Sequence, residues 1–311
     1  MMNRRSFLSL SASAAALPVL KFNSLGNNSV LPLLTQQNRK LNRLRLSVTW
    51  GLMNRLPIPN ALAKLSDLGY DAYEMFNWRD PKVLETFLAE APKYPNLACS
   101  TLTANKGVTA PDCGLVNPKE RDQFLKEMEA CIAVANKFNC KRLVTLTGND
   151  VPGMSREAMM DSAVAGLKAI VPSLEKNGIT AVIEVLNTYV DHKDYYLYRV
   201  GDAARMIDAV GSPNVKILFD IYHVQIMEGN LITLIRQNIK RIGHFHIGDH
   251  PGRHQPGTGE INYRNVFKAI YDLGYEGYAA LEYSPTIPLT LDLINQRNLT
   301  IFDEVSQGKT Q

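Results

Sequence analysis

No acidic residue occurs before Asp67 and no histidine before His192. The first absence makes the formal net charge of +4 misleading. Arg4, Arg5, Lys21, Arg39, Lys40, Arg43 and Arg45 crowd the first 45 of the 311 residues, and the rest of the chain carries 27 bases against 30 acids. A faintly acidic body offers no basic face, so nucleic acid is not a partner this composition suggests. The second absence confines any imidazole ligand to position 192 onward. Cysteine is scarce, with four residues and no C-x-x-C pair. That argues against a disulfide scaffold and leaves Cys99, Cys113, Cys131 and Cys140 as single thiols, buried by default. No G-x-G-x-x-G follows the first apolar run, which argues against a dinucleotide site. What is present is a 45% hydrophobic chain, long enough to bury the core of one barrel-sized domain.

Residues 1–25 read as a signal. Two arginines precede an apolar and small-residue run from Phe7 to Leu20, 14 residues long, which is short for the roughly 20 residues of a membrane span and suits a signal h-region. The order Asn3-Arg4-Arg5-Ser6-Phe7-Leu8 resembles the twin-arginine export signal of bacteria. It implies a periplasmic or exported protein with no stable membrane insertion once the signal is removed; an uncleaved anchor is the alternative. Residues 26–43, rich in Asn, Gln and Leu without a period, read as a linker, and residues 44–311 as the folded body.

From Leu44 onward short apolar runs alternate with longer amphipathic ones. Strands are predicted at 44–48, 70–74, 97–102, 142–146, 180–184, 216–220, 242–246 and 278–282. Helices are predicted at 58–68, 81–91, 118–138, 155–177, 200–210, 231–238, 263–273 and 289–304, several stopping at a glycine such as Gly69, Gly178 or Gly274. Eight strand-then-helix units imply parallel strands, right-handed crossovers and a closed (β/α)₈ TIM barrel as a single domain; an open doubly wound sheet is the runner-up.

In such a barrel the C-terminal strand ends converge on one face. The last four predicted strands end in I-E-V-L-N with Glu184, L-F-D-I-Y-H with Asp220, H-F-H-I-G-D with His246 and A-L-E-Y-S-P with Glu282. Three carboxylates and one imidazole from consecutive strands make a hard, oxygen-rich site suited to one divalent ion, Mn²⁺ or Mg²⁺ first, with Co²⁺ or Zn²⁺ as further candidates. A Gly- and Pro-rich loop holding Asp249, His250, Arg253, His254 and Glu260 comes after His246, and loops of this kind carry function.

Three segments resemble the hydroxypyruvate isomerase family, within the xylose-isomerase-like TIM barrel superfamily. They are E-V-L-N-T at Glu184 to Thr188 with D-Y-Y-L at Asp194 to Leu197, F-D-I-Y-H-V-Q-I-M-E-G-N at Phe219 to Asn230, and P-G-R-H-Q-P-G-T-G-E-I-N-Y at Pro251 to Tyr263. The resemblance implies that Glu184, Asp220, His246 and Glu282 are the metal ligands. Hydroxypyruvate isomerases can have Gln where His246 stands, whereas sugar epimerases of the superfamily have His. Ketose 3-epimerases carry a glutamate six positions after the first ligand, and here that position is Val190. Endonuclease IV draws zinc-binding histidines from early strands that lack them here. A stretch from Leu102 to Pro118 shorter than in cytosolic hydroxypyruvate isomerases, and Ser284 where many relatives have a basic side chain, also depart from the pattern.

The chemistry this implies is metal-dependent isomerisation of a small α-hydroxycarbonyl compound such as hydroxypyruvate. Glu184 and Glu282 act as base and acid through a cis-enediolate. His223 faces the substrate oxygen, Arg253 binds a carboxylate or hydroxyl, Glu74 shapes the pocket, and Glu260 orients Arg253 or His223; for Trp78, beyond Glu74, loop packing is favoured over a pocket role. His192, His244, His250 and His254 receive no role. An exported sugar or keto-sugar epimerase with the same metal site is the alternative, and a non-catalytic sugar- or metal-binding barrel is the alternative of another class. Packing of outer helices into a homo-oligomer suits such barrels.

Overall fold

A computed structural model describes residues 43–105 and 114–301. The expected signal, most of the expected linker and Cys113 lie outside the described residues. Eight strands, β1 Arg45–Thr49, β2 Ala72–Met75, β3 Ala98–Thr103, β4 Arg142–Thr145, β5 Thr180–Glu184, β6 Val215–Asp220, β7 Ile242–Ile247 and β8 Tyr278–Leu281, form a closed barrel in chain order. Every neighbouring pair is parallel, including β1 with β8, which shuts the ring through Leu46↔Ala279 and Val48↔Leu281. The chain is therefore a (β/α)₈ TIM barrel.

The helices are α1 Trp50–Met53, α2 Ile58–Asp67, α3 Pro81–Glu90, α4 Arg121–Lys137, α5 Arg156–Asn177, α6 Val200–Val210, α7 Ile221–Met227, α8 Leu231–Asn238, α9 Tyr263–Asp272 and α10 Leu289–Leu299. On α9 the buried residues Tyr263, Val266, Phe267 and Ile270 recur at helical spacing, so that helix lays one apolar stripe on the barrel. Phe87 of α3 shows the packing. It is fully buried between Trp50 at 4.8 Å and Tyr73 at 5.2 Å between ring centroids. Ends are set by local chemistry. Ser155 Oγ accepts from Ala158 N to open α5, and Gly178 closes it at φ 59°, a conformation costly for a residue with a Cβ. Among the described residues no helix is long and apolar enough to cross a membrane.

Two details differ from the expectation. Arg43, assigned to the linker, belongs to the fold: it bridges to Ile301 and its guanidinium grips the Asp71 carboxylate, with Nη2 to Oδ1 at 2.8 Å. Helices α1 and α7, four and seven residues long, were not foreseen, because a run that short holds too few periods to read. The second matters, since α7 carries His223.

The barrel interior is not wholly apolar. Ser47, Glu74, Ser100, His244 and His246 are all buried, in a place that branched aliphatic side chains usually fill. Cys99, Cys131 and Cys140 are buried free thiols.

Candidate metal centre

Side chains alternate across a strand, so residues two apart on β7, His244 and His246, point to the same side while Phe245 packs outward against Phe219 and Tyr275. Glu184 ends β5, Asp220 ends β6 in register with His246, and Glu282 comes directly after β8. The structure brings these four together. His246 Nδ1 lies 2.8 Å from Glu282 Oε2, 3.2 Å from Glu184 Oε1 and 4.0 Å from Asp220 Oδ2. One ligand atom from each falls within 4.8 Å of the others. That donor set of three carboxylate oxygens and one imidazole nitrogen can hold a divalent cation.

Asp220 divides its work between its two oxygens. Oδ1 caps α7, accepting from Tyr222 N at 2.8 Å and His223 N at 3.1 Å, which leaves Oδ2 directed at the centre. His223, one turn into that helix, is fully buried. Its Nδ1 accepts from Asn187, from Nδ2 at 2.6 Å and the backbone N–H at 3.3 Å. The remaining proton therefore sits on Nε2, which has no hydrogen-bond partner among the described residues and lies 3.5 Å from Asp220 Oδ2. Burial and the Arg253 charge hold this imidazole neutral, well below its ordinary pKa. A buried donor without a partner beside a cation site is free to meet an oxygen of a bound molecule.

Arg253 enters from the loop after β7, with Nη2 donating to Glu282 Oε2 at 2.8 Å and Asp220 Oδ2 at 3.3 Å. Its backbone is left-handed, φ 51°, and the loop that imposes this is organised by buried Asp249. That carboxylate accepts from His250 N, Gly257 N, Gly259 N and Ile261 N at 2.8–3.2 Å. Gly259 is required there because a Cβ would run into the His250 carbonyl.

Charge is balanced unevenly. Burial raises the Asp220 carboxyl to about 7, with Arg253 opposing and Glu282 adding to the rise. Burial also opposes ionisation of Glu282, but Arg253 and His246 overcome it and hold the group below the usual carboxylate range. For His246 burial disfavours the imidazolium, yet Glu282 and Glu74 push it well above its ordinary value.

Glu184, His223, His246, Arg253 and Glu282 line a cavity of about 580 Å³, together with Phe76, Asn77, Thr103, Leu186 and His192. Two expectations are corrected. Glu74 was assigned to the pocket. It is instead fully buried beneath His246, with Oε2 at 3.2 Å from His246 Nε2 and Oε1 at 2.6 Å from His244 Nε2; its position on β2 turns it into the barrel axis. Glu260 was assigned to orient Arg253 or His223. It is exposed and accepts from Gln225 Nε2 at 3.0 Å instead, because its backbone N–H is tied to the His250 carbonyl on the outer side of the loop. Trp78 packs outside the cavity, its Nε1 donating to Thr103 O at 2.8 Å. His254 bonds the Ser284 carbonyl.

Sequence reasoning missed His192, which lines the cavity 5.2 Å from the His223 ring, and it missed His244. The spacing of His244 and His246 on one strand was the available signal for the latter; nothing in the sequence marks His192.

Residues 62–297 match the xylose isomerase-like TIM barrel family, about three quarters of the chain. The chain belongs to that family. Hydroxypyruvate isomerase of Escherichia coli K12 is 37% identical over 168 residues, covering 54% of this chain and 65% of that enzyme, just under two thirds of its length. A putative hydroxypyruvate isomerase of Danio rerio is 30% identical over 250 residues, covering 77% of this chain and 88% of its own. Among solved structures, a protein described as AP endonuclease, family 2, from Brucella melitensis superposes with a TM-score of 0.72 at 25% identity, covering 80% of this chain and 96% of the other.

Proposed function

We propose that the chain is a divalent-metal-dependent isomerase that moves a proton between adjacent carbons of a small α-hydroxycarbonyl compound such as hydroxypyruvate, through a cis-enediolate. The observation that carries this reading is the convergence of Glu184, Asp220, His246 and Glu282 beside the Nε2–H of His223, which has no hydrogen-bond partner among the described residues. Similarity to hydroxypyruvate isomerases supports the reaction class. A bound cation, Mn²⁺ or Mg²⁺ by the donor set, supplies positive charge where the carbon acid ionises.

The chain's own residues do the rest. Glu184 and Glu282 reach the cavity from strands three apart and are the two carboxylates placed to remove the proton and return it. His223 donates Nε2–H to the substrate oxygen on which negative charge develops. The Arg253 guanidinium, rigid and always charged, receives a carboxylate or hydroxyl of the substrate. The apolar side chains of Phe76 and Leu186 limit water around the reacting carbons.

Purified protein stripped with EDTA loses turnover of hydroxypyruvate and regains it with Mn²⁺. Glu184→Gln and Glu282→Gln each lower kcat by about 10²-fold or more. A variant within about threefold of the parent removes that glutamate from the chemistry.

One observation favours a second reading. His246 supplies the imidazole that resembles sugar epimerases of the superfamily, so ketoses and 3-keto-glycosides belong in the same substrate panel; preferred turnover of one of these replaces hydroxypyruvate as substrate. Tight binding without turnover of any of them supports a non-catalytic barrel. The export reading of residues 1–25 is a proposal tested by cell fractionation.

A further inference from the structure

Directly under the carboxylate ring, on the barrel axis, Glu74 bridges two imidazoles. Its Oε2 meets His246 Nε2 at 3.2 Å and its Oε1 meets His244 Nε2 at 2.6 Å, with Ser100 Oγ at 3.4 Å on the same side. All four residues are buried, Glu74 and His244 completely. We propose that Glu74, braced by His244, is a positioning residue: it holds the His246 ring with Nε2–H toward the barrel interior and so offers Nδ1 to the cation. This role rests on the metal-centre reading.

A carboxylate only accepts, so an imidazole nitrogen within hydrogen-bond distance of it must carry a proton. Each Glu74 oxygen serves one imidazole, and both rings therefore present Nε2–H to it. By the same rule His246 Nδ1, facing Glu184 and Glu282 at 3.2 and 2.8 Å with Asp220 at 4.0 Å, also carries a proton in the ion-free ring; a cation displaces that proton, while Nε2–H stays bonded to Glu74. For His244 the Nε2–H leaves Nδ1 as an acceptor, and that atom has no hydrogen-bond partner among the described residues. A buried acceptor left unpaired is tolerated better than a buried donor. The reverse arrangement would set a lone pair against the carboxylate and bury an orphan N–H, so His244 serves as a fixed brace.

The arrangement is costly as a structural device. Burying a carboxylate among imidazoles carries a desolvation penalty that apolar packing of similar volume avoids, and this barrel layer is one that aliphatic side chains fill elsewhere. Its return is a ligand ring fixed in orientation and tautomer, with an anion behind it that raises the ring's basicity.

The test uses the wild-type chain labelled with ¹⁵N-histidine and loaded with Zn²⁺, a diamagnetic probe. Two-bond ¹H–¹⁵N correlations are expected to show His246 with a protonated Nε2 and a coordinated Nδ1, at one Zn²⁺ per chain. Coordination through Nε2 overturns the proposal. So do two ions per chain, which would make Glu74, His244 and His246 a second cation site. In the near-isosteric Glu74→Gln variant, chelator competition is expected to read Zn²⁺ affinity about 10- to 100-fold weaker. An affinity within about threefold of wild type overturns the proposal as well. Should that variant fail to fold, the wild-type spectra decide alone. A wild-type chain that binds no Zn²⁺ sinks the metal centre itself, whereas one ion held through Nε2 sinks only the role of Glu74.

Discussion

Asp249→Asn is the substitution whose cost the structure lets one work out most directly. The carboxylate is buried and receives four backbone N–H groups: His250 and Ile261 on Oδ1, Gly257 and Gly259 on Oδ2. Replacing one oxygen with an NH₂ leaves two N–H groups facing a donor. Each buried donor left unsatisfied costs about 1–3 kcal/mol. Of the four donors the Ile261 bond is buried and the others are partly so, and water can relieve the latter. The expected loss is roughly 2–4 kcal/mol, which for a domain of this size lowers Tm by about 4–16 °C if the loop and barrel melt together. If the loop opens by itself, the loss appears instead as faster amide exchange across residues 249–261. Either way Arg253, held at φ 51° by this loop, loses its seat and KM rises. Calorimetry and hydrogen exchange read the two cases. An unchanged Tm together with unchanged exchange in the loop would refute the argument.

The remaining predictions concern the site and the shell around it. Cation affinity rises with pH through about 7, the value to which burial lifts Asp220, because below it that carboxyl is neutral, and it goes on rising at higher pH because His246, held well above its ordinary pKa, still has its Nδ1 proton to give up. Protons then compete with the ion, and calorimetric titration should read an affinity about tenfold or more weaker one to two units below that point; a flat profile contradicts it. Arg253→Ala raises KM roughly tenfold, the value of a charge-assisted hydrogen bond, with a smaller effect on kcat in steady-state kinetics; an unchanged KM removes its substrate-binding role. Phe87→Ala empties the space between Trp50 and Tyr73 and costs about 3–5 kcal/mol in denaturant unfolding, while leaving cation affinity unaltered because Phe87 packs in the outer shell; a loss below about 1 kcal/mol would mean the shell collapses around the gap.

The alternation of short apolar runs with amphipathic ones was enough, by itself, to indicate eight parallel strand-then-helix units, which pack either as a closed barrel or as an open doubly wound sheet; the pairing of β1 with β8 that shuts the ring is a tertiary fact. The same reading placed Glu184, Asp220, His246 and Glu282 on one face, since a strand's C-terminal end has a fixed direction in this fold. Tertiary structure alone decided what lies between strands distant in sequence. Glu74 and His244 stand 170 positions apart and meet on the barrel axis, and no local pattern records that a strand-end acid turns inward rather than toward the rim. Glu260 likewise sits in a loop whose path is set by the backbone bonds around Asp249, so its side chain's direction depends on atoms that local periodicity does not describe. Periodicity reports which face of an element is buried; which buried groups then touch depends on how eight elements close around one axis.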